Sequence, residues 1–176
     1  MESEQDKTLE GLKIAVHMEI DGKEYYLKTS QKSSNELGKR LLASLASEED
    51  VHRRKFEEIY DAIRNKRAWP VTDFQPDKGR RLRTVFAMAP EEIVTNVKAS
   101  DTELDAIQTA MDMENKTYDF YQNQGKDATY DAERDFYESL AAEEREHSLV
   151  LLDYYEYLRD PAGWFVKKEH PSLDGS

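Results

Sequence analysis

Residues 18–26, MEIDGKEYY, lie over 113–121, MENKTYDFY, and residues 45–52, LASEEDVH, lie over 140–147, LAAEEREH. Both alignments use the same offset of 95 residues and need no gap. Glu19 falls on Glu114, Tyr26 on Tyr121, Glu49 on Glu144 and His52 on His147. Within each copy the second Glu follows the first by 30 residues. Two of the four histidines of the chain thus sit in one duplicated Glu-x-x-His pattern. A chain written as two copies of one unit is expected to fold about an internal pseudo-two-fold axis, each half supplying one Glu and one Glu-x-x-His.

The copies have helical periodicity. Leu41, Leu45, Glu49, His52, Phe56, Ile59 and Ile63 recur at steps of three and four, which places them on one helical face. Phe136, Leu140, Glu144, His147, Leu151, Tyr154 and Leu158 repeat those steps. Leu12, Ala15, Val16, Glu19, Gly22 and Tyr26 share a face of an earlier helix, and Ile107, Ala110, Met111, Glu114 and Tyr121 share one of a later helix. The spacing predicts helices from about Thr8 to Lys28, from Ser33–Glu36 (a capping-box pattern) to Lys66, from Ser100–Glu103 (a second one) to Gly125, and from Ala128 to Arg159, where Asp160-Pro161 stops it. Residues 68–90 hold three of the five prolines and read as a long connection. A short helical turn is expected at PEEIVTNVK, residues 90–98, and a tail at 161–176. This is an all-α, antiparallel four-helix bundle with one long crossover over residues 1–160.

Four Glu and two His on otherwise apolar stripes need a reason. A lone carboxylate in an apolar core neutralises or is destabilised by several kcal/mol, and four together repel. No Lys or Arg stands at the matching level, although Lys23 borders the stripe. A pair of divalent ions resolves the conflict, with four positive charges against four carboxylates and imidazole as neutral ligand. Residues three apart on a helix have Cβ atoms about 5–6 Å apart, so a Glu and a His at that spacing reach one ion. The Glu residues of the other two helices, Glu19 and Glu114, can then bridge two ions. Carboxylate and imidazole donors favour iron, with manganese or zinc as substitutes.

Other functions are excluded or disfavoured. The chain has no Cys, which removes disulfides, thiolate metal sites and thiol nucleophiles. A net charge of −12 argues against nucleic acid and anionic membrane as partners. No apolar run approaches the ~20 residues needed to span a bilayer, and a cytoplasmic protein is expected.

These four motifs, with the ending DPAGWFVKKEHPSLDG, resemble the rubrerythrin branch of the ferritin-like superfamily, over nearly the whole chain. The resemblance implies a ferritin-like bundle, often dimeric, with a non-haem di-iron centre. It implies Glu19, Glu49, His52, Glu114, Glu144 and His147 as ligands, the four Glu being the catalytic set, with Glu49 and Glu144 shared between the ions and Glu19 and Glu114 terminal. Two departures stand out. Rubrerythrins proper carry a four-Cys rubredoxin domain, so electrons here are expected from an external donor protein. They also carry an additional Glu one turn before the ligand of the third main helix, where this chain has Met111 with Asp112 beside it; the site is expected to be more symmetric. The implied activity is reduction of hydrogen peroxide or dioxygen by a homodimer. The alternative is ferritin-like iron binding and ferroxidation in iron homeostasis, without donor-driven turnover.

The remaining candidates are weighed individually. Tyr26 and Tyr121 sit two turns after a ligand Glu and either hydrogen-bond ligand carboxylates or simply pack in the core. Glu48 and Glu143 point about 100° from the ligand face and are expected to be solvated or supporting. His17 and His170 are expected off the site. Trp69, Trp164 and Phe165 read as packing anchors, within the chain or at a dimer contact, and KGRRLR, residues 78–83, as a solvated run.

Overall fold

The computed structural model describes residues 3–70, 74–87 and 98–169. Six helices lie among them: α1 (Glu4–Lys32), α2 (Glu36–Arg64), α3 (Arg80–Ala87), α4 (Asp101–Lys126), α5 (Asp131–Arg159) and α6 (Pro161–Glu169). The long helices form two hairpins, α1 with α2 and α4 with α5. The three-residue link between α1 and α2 and the four-residue link between α4 and α5 leave no choice but antiparallel neighbours. The expected all-α, ferritin-like bundle with a crossover between α2 and α4 is the architecture observed.

The helix ends follow from local chemistry. Ser3 caps α1 in a capping box with Asp6. The expected box at Ser33 and Glu36 does not form. α1 runs on to Lys32, so Ser33 ends it, and Asn35 in extended conformation caps α2, accepting from Gly38 N at 2.7 Å. Ser100 caps α4 as the spacing predicts, at 3.2 Å from Glu103 N. The Glu103 carboxylate does not return to Ser100; it accepts from Ser33 and Ser34 Oγ at 3.0 and 2.7 Å and pins the start of α4 to the first hairpin turn. α5 begins at Asp131, after Tyr130, without a side-chain cap.

Two segments expected to be irregular are helical. Lys78 and Gly79 both have positive φ, +56° and +74°, and turn the crossover into α3. Leu82 on α3 is fully buried in the core, and Arg83 pairs with Glu146. KGRRLR is therefore anchored at both Leu82 and Arg83 rather than free in solvent. Pro161 ends α5 as expected but also starts α6, because the first helical position tolerates Pro; Asp160 Oδ1 accepts from Gly163 N at 3.1 Å. PEEIVTNVK, apart from Lys98, and His170 lie outside the described residues, as does the Phe165 side chain.

Among the described residues the core divides into two apolar clusters. One holds Leu41, Leu45, Ile107, Leu151 and Tyr154, and the other Leu12, Phe56, Ile59, Tyr137 and Leu140. Each large apolar side chain so buried stabilises the fold by about 1.5–3 kcal/mol. The duplicated polar residues lie between the clusters: in α2, Glu49 and His52 fall between Leu45 and Phe56. Among the described residues, no helix is long and apolar enough to cross a membrane.

Candidate metal centre

The heptad spacing of Glu and Tyr sets the first geometry. Tyr26 on α1 donates to Glu114 Oε1 on α4, and Tyr121 on α4 donates to Glu19 Oε1 on α1. Each Tyr lies seven residues after the Glu of its own helix, so the reciprocal bonds make α1 and α4 antiparallel about a local two-fold axis. α2 and α5 repeat the relation. His52 Nδ1 lies 3.2 Å from Glu144 Oε1, and His147 Nδ1 lies 3.1 Å from Glu49 Oε1. The two imidazoles stack with centroids 5.6 Å apart and planes within 10°.

The structure therefore brings the six duplicated residues together, none more than 3 % exposed. They form two adjoining donor sets. Glu19, Glu49, His52 and Glu144 offer ligand atoms within 4.8 Å of one another, as do Glu49, Glu114, Glu144 and His147. Glu49 and Glu144 belong to both sets, Glu19 and Glu114 to one each. Spacing alone had allowed Glu19 and Glu114 to bridge. The structure gives the shared position to the Glu of each Glu-x-x-His, because α2 and α5 face each other across the axis.

The electrostatics are those of trapped carboxylates. Burial, then repulsion from Glu19 and Glu114, pushes the Glu49 carboxyl well above its ordinary range. Burial and the charges of Glu114, Glu49 and Glu19 do the same to Glu144. Burial opposes charge on Glu114 too, but the neighbouring His147 and Glu144 and the hydrogen bond from Tyr26 outweigh it and hold Glu114 down at about 2. Burial also opposes charge on His147, yet Glu114, Glu48 and Glu49 raise it well above its ordinary value. Tyr26 and Tyr121 are raised by burial and by the facing carboxylates, so both hydroxyls remain donors.

Residues around the six differ from expectation in part. Glu48 is buried, and its Oε2 lies 2.8 Å from His147 Nε2. A carboxylate only accepts, so Nε2 carries the hydrogen and Nδ1 faces the carboxylates. Glu143, its copy at offset 95, is buried too but accepts from Lys78 N at 3.0 Å, while Phe74 packs edge-on against His52 at 5.8 Å. The crossover thus breaks the two-fold symmetry around the histidines. The signal for both residues was their own duplication, since a solvated Glu needs no equivalent. Gly22 is a further contributor: a Cβ there would lie 2.8 Å from Glu49 Oε2, so any larger residue would shift that carboxylate from its place. Lys23 pairs with Asp50 at 2.8 Å rather than with the core acids. Met111 is buried among Ile107 and Ala110, and Asp112 is exposed. His17 is exposed. Trp69 packs on Phe136 and Tyr137, and Trp164 on Tyr157 with its indole N–H donating to Asp153 at 3.0 Å.

The donor set fits a pair of divalent ions. Glu19 Oε2, Glu49 Oε1, His52 Nδ1, Glu114 Oε2, both Glu144 oxygens and His147 Nδ1 are buried without a hydrogen-bond partner. Buried polar atoms are nearly always satisfied, and here seven orphans converge on two adjoining sets of four residues each, donors enough to hold two ions. Oxygen and imidazole nitrogen suit iron, manganese or zinc and give no preference to thiophilic metals.

The family model described as Rubrerythrin matches residues 10–155. No curated protein and no solved structure matches the chain.

Proposed function

Since this chain belongs to the rubrerythrin family, a ferritin-like di-iron family, we propose that it is a non-haem di-iron oxidoreductase that reduces hydrogen peroxide, or dioxygen, with electrons from an external donor protein. The observation that carries the reading is the duplicated set of seven orphaned buried donor atoms on Glu19, Glu49, His52, Glu114, Glu144 and His147. Glu49 and Glu144 would be shared by the two ions, and the other four residues would complete one end each. An iron pair so held supplies two electrons and Lewis acidity toward an O–O bond.

The chain's own residues do the rest. The Tyr26 and Tyr121 hydroxyls hold Glu114 and Glu19 in place through the oxygen that faces away from the orphaned one. Glu48 fixes the His147 tautomer. The clusters around Leu45 and Phe56 keep bulk water from both ends of the site. The 176 residues contain no Cys, so no thiolate-bound iron lies within them to pass electrons, which supports the external donor of this reading.

The test compares wild type with Glu49→Ala/Glu144→Ala. Wild type purified with Fe(II) is expected to hold at least about two irons per chain by elemental analysis, and the double variant about two fewer. Steady peroxide consumption with a reductant is expected to fall roughly a hundredfold or more in the variant. Peroxide consumption that survives the double substitution would refute the site. Iron oxidation that is not followed by consumption of the reductant would replace this reading with ferroxidation.

A further inference from the structure

Beside the histidines, on the crossover side, lies a second acidic set. Glu48, Asp77 and Glu143 bring carboxylate oxygens within 4.8 Å of one another. With His52, Phe74 and Arg81 they line a cavity of about 90 Å³. Each carboxylate is fixed through one oxygen. Glu48 Oε2 is held by His147 at 2.8 Å, Glu143 Oε1 by Lys78 N at 3.0 Å, and Asp77 Oδ2 by Arg81 N at 3.1 Å. The opposite oxygens of two of them, Glu48 Oε1 and Asp77 Oδ1, are buried with no hydrogen-bond partner, and Glu48 as a residue is only 7 % exposed. A solvated acid cluster would turn those oxygens to water. The cation beside them is Arg81, whose Nε lies 4.0 Å from Asp77 Oδ2 on a side chain 68 % exposed. One screened guanidinium and the His147 imidazole, which also faces Glu49 and Glu114, do not balance three carboxylates facing a cavity with low-dielectric walls.

We propose that Glu48, Asp77 and Glu143 form a third divalent-cation site, a waiting position from which metal ions pass to the pair. The route is short, since Glu143 also belongs to a set with His52 and His147 whose ligand atoms lie within 4.8 Å of one another. All-oxygen coordination makes this site harder than the pair site and suited to Mn(II), Fe(II) or Mg(II). The waiting role rests on the di-iron reading; the existence of the site does not.

The probe is Mn(II), counted by atomic emission after equilibrium dialysis of the full chain. Wild type is expected to bind about three ions per chain, Asp77→Asn about two and Glu49→Ala/Glu144→Ala about one. Asp77→Asn touches neither histidine and can keep the Arg81 N–H bond. Glu143→Gln, which can keep the Lys78 bond, is expected to lose the same ion and serves if the first variant folds poorly. Loading of the pair, followed by stopped flow, is expected to slow about tenfold in Asp77→Asn, since a site that focuses cations speeds their arrival. Equal ion counts in wild type, Asp77→Asn and Glu143→Gln would overturn the proposal. If instead the double variant binds as many ions as wild type while Asp77→Asn loses one, the di-iron reading fails and the third site stands.

Discussion

A buried phenol beside a buried carboxylate has one satisfactory arrangement, in which the O–H donates. Tyr121 does this to Glu19 and Tyr26 to Glu114, so each outer carboxylate is oriented by the other half of the repeat. Tyr121→Phe leaves Glu19 Oε1 without that donor in a fully buried place. The expected loss is about 1–3 kcal/mol, the usual penalty for orphaning a buried polar group, measured by denaturant unfolding of the metal-free protein. Metal affinity, read by competition with a chelator, is expected to fall roughly ten- to hundredfold, because outer partners hold ligands in place. A Tyr121→Phe protein with unchanged affinity would reduce the hydroxyl to a packing group. The six core residues were legible because ionisable groups on apolar stripes break a pattern. Glu48 was not, because the helical projection places it off the stripe and gives no sign that His147 comes across from α5 to meet it. Asp77 was out of reach, since nothing local ties a connection residue to a site formed by two distant helices.

At the scale of elements, the four long helices were legible from apolar spacing, which persists over seven or eight turns. Their ends were less so. Ser33 and Asn35 both satisfy capping preferences, and the choice is made by the three-residue turn, which needs α1 to continue to Lys32. α3 and α6 were illegible because eight or nine residues give too few turns for a stripe, and both are fixed by what they touch: Leu82 by the core, Trp164 by Tyr157. The start of α2 offers a test of this packing. Gly38 sits where an added Cβ would lie 2.0 Å from Tyr154 Oη on α5 and 2.5 Å from Ser33 Oγ. Helix propensity alone favours Ala over Gly by roughly 0.5–1 kcal/mol. Overpacking typically outweighs that, by about 1–3 kcal/mol, and here it must also dislodge a hydroxyl bonded to Asn35 at 3.1 Å. Gly38→Ala is therefore expected to lower the melting temperature. A rise would mean that α2 and α5 are not this close.

For the whole molecule, the centre couples stability to protons and metal. In the metal-free fold Glu49 and Glu144 retain protons that the unfolded chain releases near pH 4.5. Their contribution to stability is full below about 4.5 and is lost as pH rises through their raised folded values. His147, also raised, contributes fully below about 6.5 and loses its share above it. Glu114, held at about 2, acts in the opposite sense: its contribution is present above about 4.5 and is lost only as pH falls toward 2. Asp50, lowered by Lys23 and Arg53, likewise matters only in acid. Between pH 5 and 8 the sloping contributions thus share one sign, each retained proton giving about 1.4 kcal/mol per pH unit. The metal-free protein is expected to melt at lower temperature as pH rises across that range. Divalent ions displace those protons, so the rise in melting temperature on adding saturating Mn(II) is expected to grow with pH. Glu49→Gln/Glu144→Gln mimics the protonated carboxyls, and its metal-free form is expected to show a flatter profile, to exceed wild type in stability at pH 8, and to gain little from Mn(II). A wild-type melting temperature that stays level from pH 5 to 8 without metal would show that the core carboxylates are not trapped. The residues that suit this bundle to a metal pair are, on this account, the ones that make it a poorer bundle without one.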